Sequence, residues 1–469
     1  MTSTPVIDEE ASPVAERKPK PALAVTLPNA FKHGDVFTKG SALIMGLGNI
    51  VRKQYLKGLL FLAVQAIFIF TLVRYGISQL AGLSELGPVT EGTQGWNENN
   101  EFVNFPPTNS VEVLLYGVAW IFIIGAFIVA WAAAIKSAFA AQMLQARKGE
   151  TPDLVSDVRG LLDGRIHVSL MSLPLMGIIV FTVVPLAFMI LLAFTNFDRN
   201  NTPAFNWVGF ETIATVFSPE KGNSGVNLTV FLRVLAWTLT WAVFATFLNF
   251  FFGMFMAMII LRNGTRFKSM WRAVFSLSIA VPQFVSLLVI SQMLQDQGIV
   301  NQLLKSWGWI ETSMPFFTDA WWARATVIVV NLWIGIPYTI MQVTGILQNI
   351  PGELYEAAEI DGANWWQAYT RITLPYIFFV MTPYLITTFT GNINNFNVIF
   401  LLSNGAPFTV GESAGHTDLL ITWLYKLTVD RGDYNIGAVI GIATFIVLAT
   451  VSLITYRSSA SYKNEEGFR

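Results

Sequence analysis

Eight stretches of this sequence run for about 20 residues or more with almost no charge, and each is long enough to cross the hydrocarbon core of a bilayer as a helix. They lie at about 59–80, 113–135, 168–194, 234–261, 273–294, 325–346, 376–402 and 435–456. Lipid offers no partner to a backbone N–H or C=O, so spans of this length must be helical. The expected fold class is therefore an all-α integral membrane protein with eight transmembrane helices. Composition agrees: 53% of residues are hydrophobic, 13% are charged and the mean hydropathy is +0.52, where soluble domains carry about 25% charged residues. A further apolar piece, Ser41–Val51, is too short and too broken by glycine to span. It is expected to lie along the membrane surface or to pack in the cytoplasm.

An even number of spans puts both termini on one side, and the Lys/Arg count decides which. Placing the termini inside assigns 21 Lys/Arg to cytoplasmic segments and seven to outside loops. The outside loop 81–112 then holds Glu85, Glu91, Glu98, Glu101 and Glu112 with no Lys or Arg. Both termini are expected in the cytoplasm. Residues 1–58 read as a cytoplasmic tail and surface segment, and 59–135 as two accessory helices. A cytoplasmic loop fills 136–167, a six-helix core 168–460, and a second tail 461–469. The first 40 residues lack the apolar core of a cleavable signal peptide.

Several function classes fall away. A net charge of −1 makes no case for nucleic acid. There is no cysteine, and His33, His167 and His416 are far apart, so no metal site is expected. No phosphate loop of the GxxxxGK[ST] type occurs, and Gly46-Leu47-Gly48 lacks the third glycine and preceding strand of a dinucleotide site. No cofactor and no catalytic residue is expected in this chain. Spans four to eight contain no ionisable side chain in their interiors, which weighs against an ion-coupled carrier. Their polar residues are neutral, among them Asn249, Asn331, Tyr338, Thr388, Asn392 and Asn395, with Phe250, Trp333 and Phe389 nearby. Amides and hydroxyls beside flat rings suit an uncharged polyhydroxy solute; equally, such amides can bond helix to helix.

Between spans six and seven lies a polar, helix-prone loop, 351–375, on the cytoplasmic side of this topology. Pro351 stands at a helix start, Glu353 and Glu356 fall in the first turns, and Gly362 sits where the helix should stop. The residues Glu356-Ala357-Ala358, Gly362, Ile372, Leu374 and Pro375 match EAA-x3-G-x9-I-x-L-P at every fixed position.

By that motif the chain resembles the membrane subunits of binding-protein-dependent ABC importers, and in its eight spans the larger permease of maltose/maltodextrin systems. The resemblance implies a type I ABC permease core of six helices plus two N-terminal helices. It implies partners: a second permease, two ATPase subunits that bind ATP and Mg, an extracellular sugar-binding protein, and sugar as substrate. It assigns ATPase coupling to Glu353, Glu356, Ala357, Ala358, Asp361, Gly362, Ile372, Leu374 and Pro375, with Pro375 opening span seven. The segments Asn331–Tyr338 and Thr388–Phe396 resemble that family's sugar-lining stretches, which would put Gly335, Tyr338, Thr388, Asn392 and Asn395 at the sugar. Two departures stand out: the connection 195–233 is short where the maltose-type permease has a folded domain, and Thr388 replaces an expected serine. Alternatives at this stage are an ion-coupled secondary sugar carrier and an ABC permease for another small polar solute.

Overall fold

The computed structural model describes residues 24–89, 92–96, 101–105, 107–148, 166–219, 225–262 and 264–458. The expected tails at 1–23 and 461–469 and the loop interior 149–165 lie outside them. Among the described residues seven helices are long and apolar enough to cross a membrane: Tyr55–Gly82, Ser110–Arg147, Leu170–Leu192, Leu228–Leu261, Ala320–Gln348, Trp365–Ile393 and Tyr434–Arg457. The pair Lys268–Ala280 and Gln283–Met293, bent by 85°, makes an eighth, fifth in order, when the two are counted as one span. The continuous fifth helix expected over 273–294 is thus corrected. Val281 is extended (φ −86, ψ 127) and Pro282 has no N–H to continue the ladder.

The seventh span also differs from expectation at both ends. It begins at Trp365, not 376, and ends at Ile393, where Asn394 and Asn395 interrupt it before the short helix Phe396–Leu402. Pro375 therefore does not open the span. The helix already runs through it, with a π turn at Tyr369–Thr373 that absorbs the missing backbone donor.

The chain divides into two compact units, one of Met1–Ser84 with Glu112–Pro185, the other of Glu85–Val111 with Leu186–Arg469. In the first, the short helices Leu27–His33, Val36–Gly40 and Leu47–Val51 precede spans one and two. Ala30, Ile135 and Phe139 form its buried centre, flanked by Leu27, Ala42, Trp131 and Met143.

In the second unit, span four packs on span six through reciprocal notches. A Cβ on Gly253 would stand 2.4 Å from Thr339, and one on Gly335 2.2 Å from Asn249. Small residues at helix crossings let backbones approach where lipid supplies no hydrophobic drive. Two apolar clusters flank this crossing. One gathers Trp237, Trp241, Ala245, Leu287, Val327, Val330, Val398, Ile399 and Leu402. The other gathers Phe250, Met254, Ala257, Ile260, Ile340, Val343, Ile377 and Met381.

The loop 403–419 is fastened by charge. Lys426 and Asp418 form a buried ion pair at 2.8 Å, and Lys426 also donates to the Asn404 carbonyl at 2.8 Å. Arg233 pairs with Glu412 and donates to the Ala414 carbonyl at 2.8 Å, while Arg324 lies 4.9 Å over the Trp237 ring. Burial and these two guanidiniums push the His416 imidazole below its ordinary pKa. In the 81–112 stretch Thr93–Trp96 pairs antiparallel with Phe102–Phe105, a hairpin the sequence pattern does not announce. Within the described part of the connection 195–233, Glu211–Val216 is a short helix, and the helix of span four already begins at Leu228.

Candidate functional site

On spans four, six and seven a set of polar residues falls between the residues given to the two apolar clusters. On span four Thr246 and Asn249 separate Ala245 from Phe250; on span six Asn331 and Gly335 separate Val330 from Ile340. On span seven Asn392 follows Met381 and precedes Val398. The result is a polar layer between two apolar ones, deep inside a membrane helix bundle.

The layer is tied together by amides. Asn392 Nδ2 donates to Thr246 Oγ1 at 3.0 Å, and Asn395 Nδ2 donates to Asn392 Oδ1 at 3.3 Å. Asn395 Oδ1 accepts from the Val398 N–H at 3.3 Å and so caps the helix that restarts after the break. Asn249 Nδ2 donates to the Ala245 carbonyl at 2.7 Å. Its Oδ1, and Asn331 Nδ2, are buried with no hydrogen-bond partner among the described residues. An unpaired buried amide group costs about 1–3 kcal/mol, so these two atoms are an unmet acceptor and an unmet donor within the layer.

Of the five residues expected at sugar, Asn392 and Asn395 touch each other, and Gly335 lies against Asn249. Tyr338 is about half exposed and Thr388 half-buried. On span four Thr246 meets the second predicted stretch at Asn392, three residues before Asn249, which meets the first at Gly335. That spacing on one helix face was the available signal.

The loop at 351–375 forms the helix Gly352–Ile360 after Pro351. Gly362 takes φ +75, and the chain closes with its N–H on the Glu359 carbonyl at 3.0 Å and the Ala363 N–H on the Ala358 carbonyl at 2.9 Å. That is the paired bonding of a Schellman cap, and its left-handed residue favours glycine. Asn364 and Gln367 then cap the next helix reciprocally, at 2.9 and 2.8 Å. Glu353, Glu356, Ala357 and Asp361 are exposed, Ala358 is half-buried, and Ile360 is 87% exposed with Trp365 and Trp366 beside the turn. Exposed apolar side chains beside exposed carboxylates make this surface a candidate docking face. Ile372 and Leu374 are half-buried, Leu374 against the second apolar cluster, and Pro375 is exposed. One contact escaped the sequence reading: Tyr355 and Thr373 share a hydrogen bond of 2.8 Å, tying the loop helix to the base of span seven.

The profile of the family described as "Binding-protein-dependent transport system inner membrane component" matches residues 249–461, which contain the loop and, apart from Thr246, the polar layer. The galactooligosaccharides transport system permease protein GanP of Bacillus subtilis is 33% identical over 435 residues, covering 90% of this chain and 97% of that one. The chain belongs to this permease family. The maltodextrin transport system permease protein MdxF of the same organism is 32% identical over 436 residues, 91% of this chain and 96% of that one. With the maltose/maltodextrin permease MalF of Escherichia coli the match is 32% over 269 residues, 56% of this permease and 51% of the other. The solved bacterial alginate ABC transporter, in complex with an alginate pentasaccharide-bound periplasmic protein, shares the fold: TM-score 0.51, 23% identity, 64% of this chain and 96% of that one. The permease is thus a multi-pass membrane transport component with a type I core.

Proposed function

We propose that this permease forms half of the path of an ATP-driven importer for neutral oligosaccharides of the maltodextrin kind. What carries the reading is the polar layer of amides and hydroxyls held between two apolar clusters, with Asn249 Oδ1 and Asn331 Nδ2 open. In it Tyr338, Thr388, Asn392 and Asn395 offer hydroxyl and amide groups to sugar, and Gly335 keeps span six close enough to span four to shape the wall. The termini and the 351–375 loop face the cytoplasm, as the Lys/Arg bias requires.

The loop helix Gly352–Ile360 seats in an ATPase subunit, its acidic first turns and Ile360 making the contact. Two such ATPases bind ATP and Mg, a second permease completes the path, and an extracellular binding protein delivers the sugar. Closure of the ATPases moves the loop helix. The movement passes through the Tyr355–Thr373 bond into span seven, which carries Thr388 and Asn392. Reconstituted with these partners, the complex takes up radiolabelled maltodextrin only with ATP and loaded binding protein. Uptake driven by an ion gradient without the ATPases would refute the proposal.

A further inference from the structure

The segment from Asp35 to Arg52 does not lie flat beside the first two spans. It descends between them and returns. At its neck the Asp35 N–H and the Thr38 hydroxyl both donate to Gln142 Oε1, at 3.0 and 2.9 Å. At its tip Trp131 Nε1 donates to the Ala42 carbonyl at 2.8 Å, and Gln65 clasps the backbone, donating to the Leu43 carbonyl and accepting from the Met45 N–H, both at 2.8 Å. On the way back Gly46 meets Gly58 so closely that a Cβ would stand 2.3 Å from the Gly58 carbonyl oxygen. Asn49 then donates to Ser137 at 2.9 Å, and Arg52 returns to Asp35 at 2.6 Å, closing the neck.

Gln65 is eight residues deeper in its helix than Lys57, and Trp131 five residues deeper than Lys136. At 1.5 Å per residue the tip therefore sits roughly 8–12 Å further in than those two charges. Irregular backbone is tolerated at membrane depth only where its polar groups are bonded. Here they are: besides the clasps, Ser41 Oγ accepts from the Gly48 N–H at 2.8 Å, and Arg52 donates to the Gly48 carbonyl at 2.6 Å. This also explains a glutamine in the otherwise apolar run LLFLAVQAIFIF at 59–70.

The outer side of the segment is apolar. Val36 is 81% and Leu43 79% exposed, with Phe37 and Ile44 also open. It is continuous with the exposed apolar flank of span one, Leu56, Leu60, Val64 and Ile67. Lys32, Lys39 and Lys53 stand exposed around the neck, where cations meet anionic headgroups. We propose that residues 35–52 are a re-entrant elbow whose partner is the lipid itself, with Leu43 and Ile44 in the acyl chains and the neck lysines at anionic headgroups. Naming the cytoplasmic leaflet rests on the orientation proposed above; the depth does not.

The chain has no cysteine, so single spin labels can be placed without background. In the full transporter complex, in vesicles of phosphatidylethanolamine and phosphatidylglycerol, Leu43→Cys and Lys53→Cys are labelled separately. The ratio of oxygen to nickel-chelate accessibility should be several-fold higher at 43 than at 53. Strong nickel-chelate contact at 43, or exclusion of both reagents by a covering protein, overturns the proposal. Adding Gln65→Leu should release the tip, so that the label at 43 becomes mobile and nickel-accessible. An unchanged depth in that variant overturns the clasp. Neither readout depends on transport, so failure here is separable from failure of the importer reading.

Discussion

Tyr355 and Thr373 show how much a single hydroxyl can carry. The bond between them, 2.8 Å long with Thr373 buried, is a direct link between the loop helix and span seven. A hydrogen bond of this kind is worth about 1 kcal/mol net, or about fivefold in an equilibrium. Tyr355→Phe keeps the ring and removes the link. Sugar transported per ATP hydrolysed should fall by about that factor in proteoliposomes, with ATPase co-purification intact; an unchanged ratio would mean that motion passes elsewhere. At Gly335 the issue is space. A methyl there would meet Asn249 at 2.2 Å, and overpacking of this kind costs about 1–3 kcal/mol. Gly335→Ala should lower the melting temperature of the purified complex, whereas Gly345→Ala, with nothing within 4 Å of the added carbon, should leave it unmoved. The resemblance to maltose-type permeases marked Gly335 as a sugar-site residue, but its close fit to Asn249 depends on which helix lies opposite, and spacing along one helix does not carry that.

Among the elements, the loop was the most legible. A proline at the start, acidic first turns and a glycine stop are local signals, and helix, cap and reversal follow from them. The extent of span seven was not legible, because Trp365–Leu374 is polar enough to read as connector while its bonding is helical. The break after Ala280 was half visible in Pro282; a proline announces a kink, but the 85° follows from Val281 turning extended. The elbow at 35–52 was least visible, since what holds it are side chains from two distant helices. Because span seven is one helix from Trp365, the turn at Gly362 is the joint between lever and span. A β-branched side chain at φ +75 costs about 1–2 kcal/mol, while Asn tolerates that region. Gly362→Val should therefore weaken ATPase co-purification and uncouple hydrolysis from uptake, and Gly362→Asn should retain most of both. Equal loss in the two variants would show that the turn's conformation is not what matters.

At the scale of the whole permease, the proposed function makes the charge content of the layer between the two apolar clusters the selector of the solute. Between Trp237 and Leu261 on span four, Val327 and Gln348 on span six, and Leu374 and Leu402 on span seven, the sequence holds no Asp, Glu, Lys, Arg or His. The groups there are amides, hydroxyls and rings, which satisfy sugar hydroxyls but leave a carboxylate without a counter-ion. Taking an unpaired carboxylate into such a layer costs far more than taking in a hydroxyl. The fold alone does not decide this, since a transporter for an acidic polysaccharide shares it. The prediction concerns the layer: with the binding protein present, neutral maltodextrins should stimulate ATP hydrolysis and enter the vesicles, and uronate oligomers of the same length should do neither. Placing a cation in the wall by Asn331→Lys should lower neutral-sugar uptake by tenfold or more, because a bidentate amide is replaced by a desolvated charge. Robust uronate uptake by the unaltered complex would place the selecting groups outside these three spans.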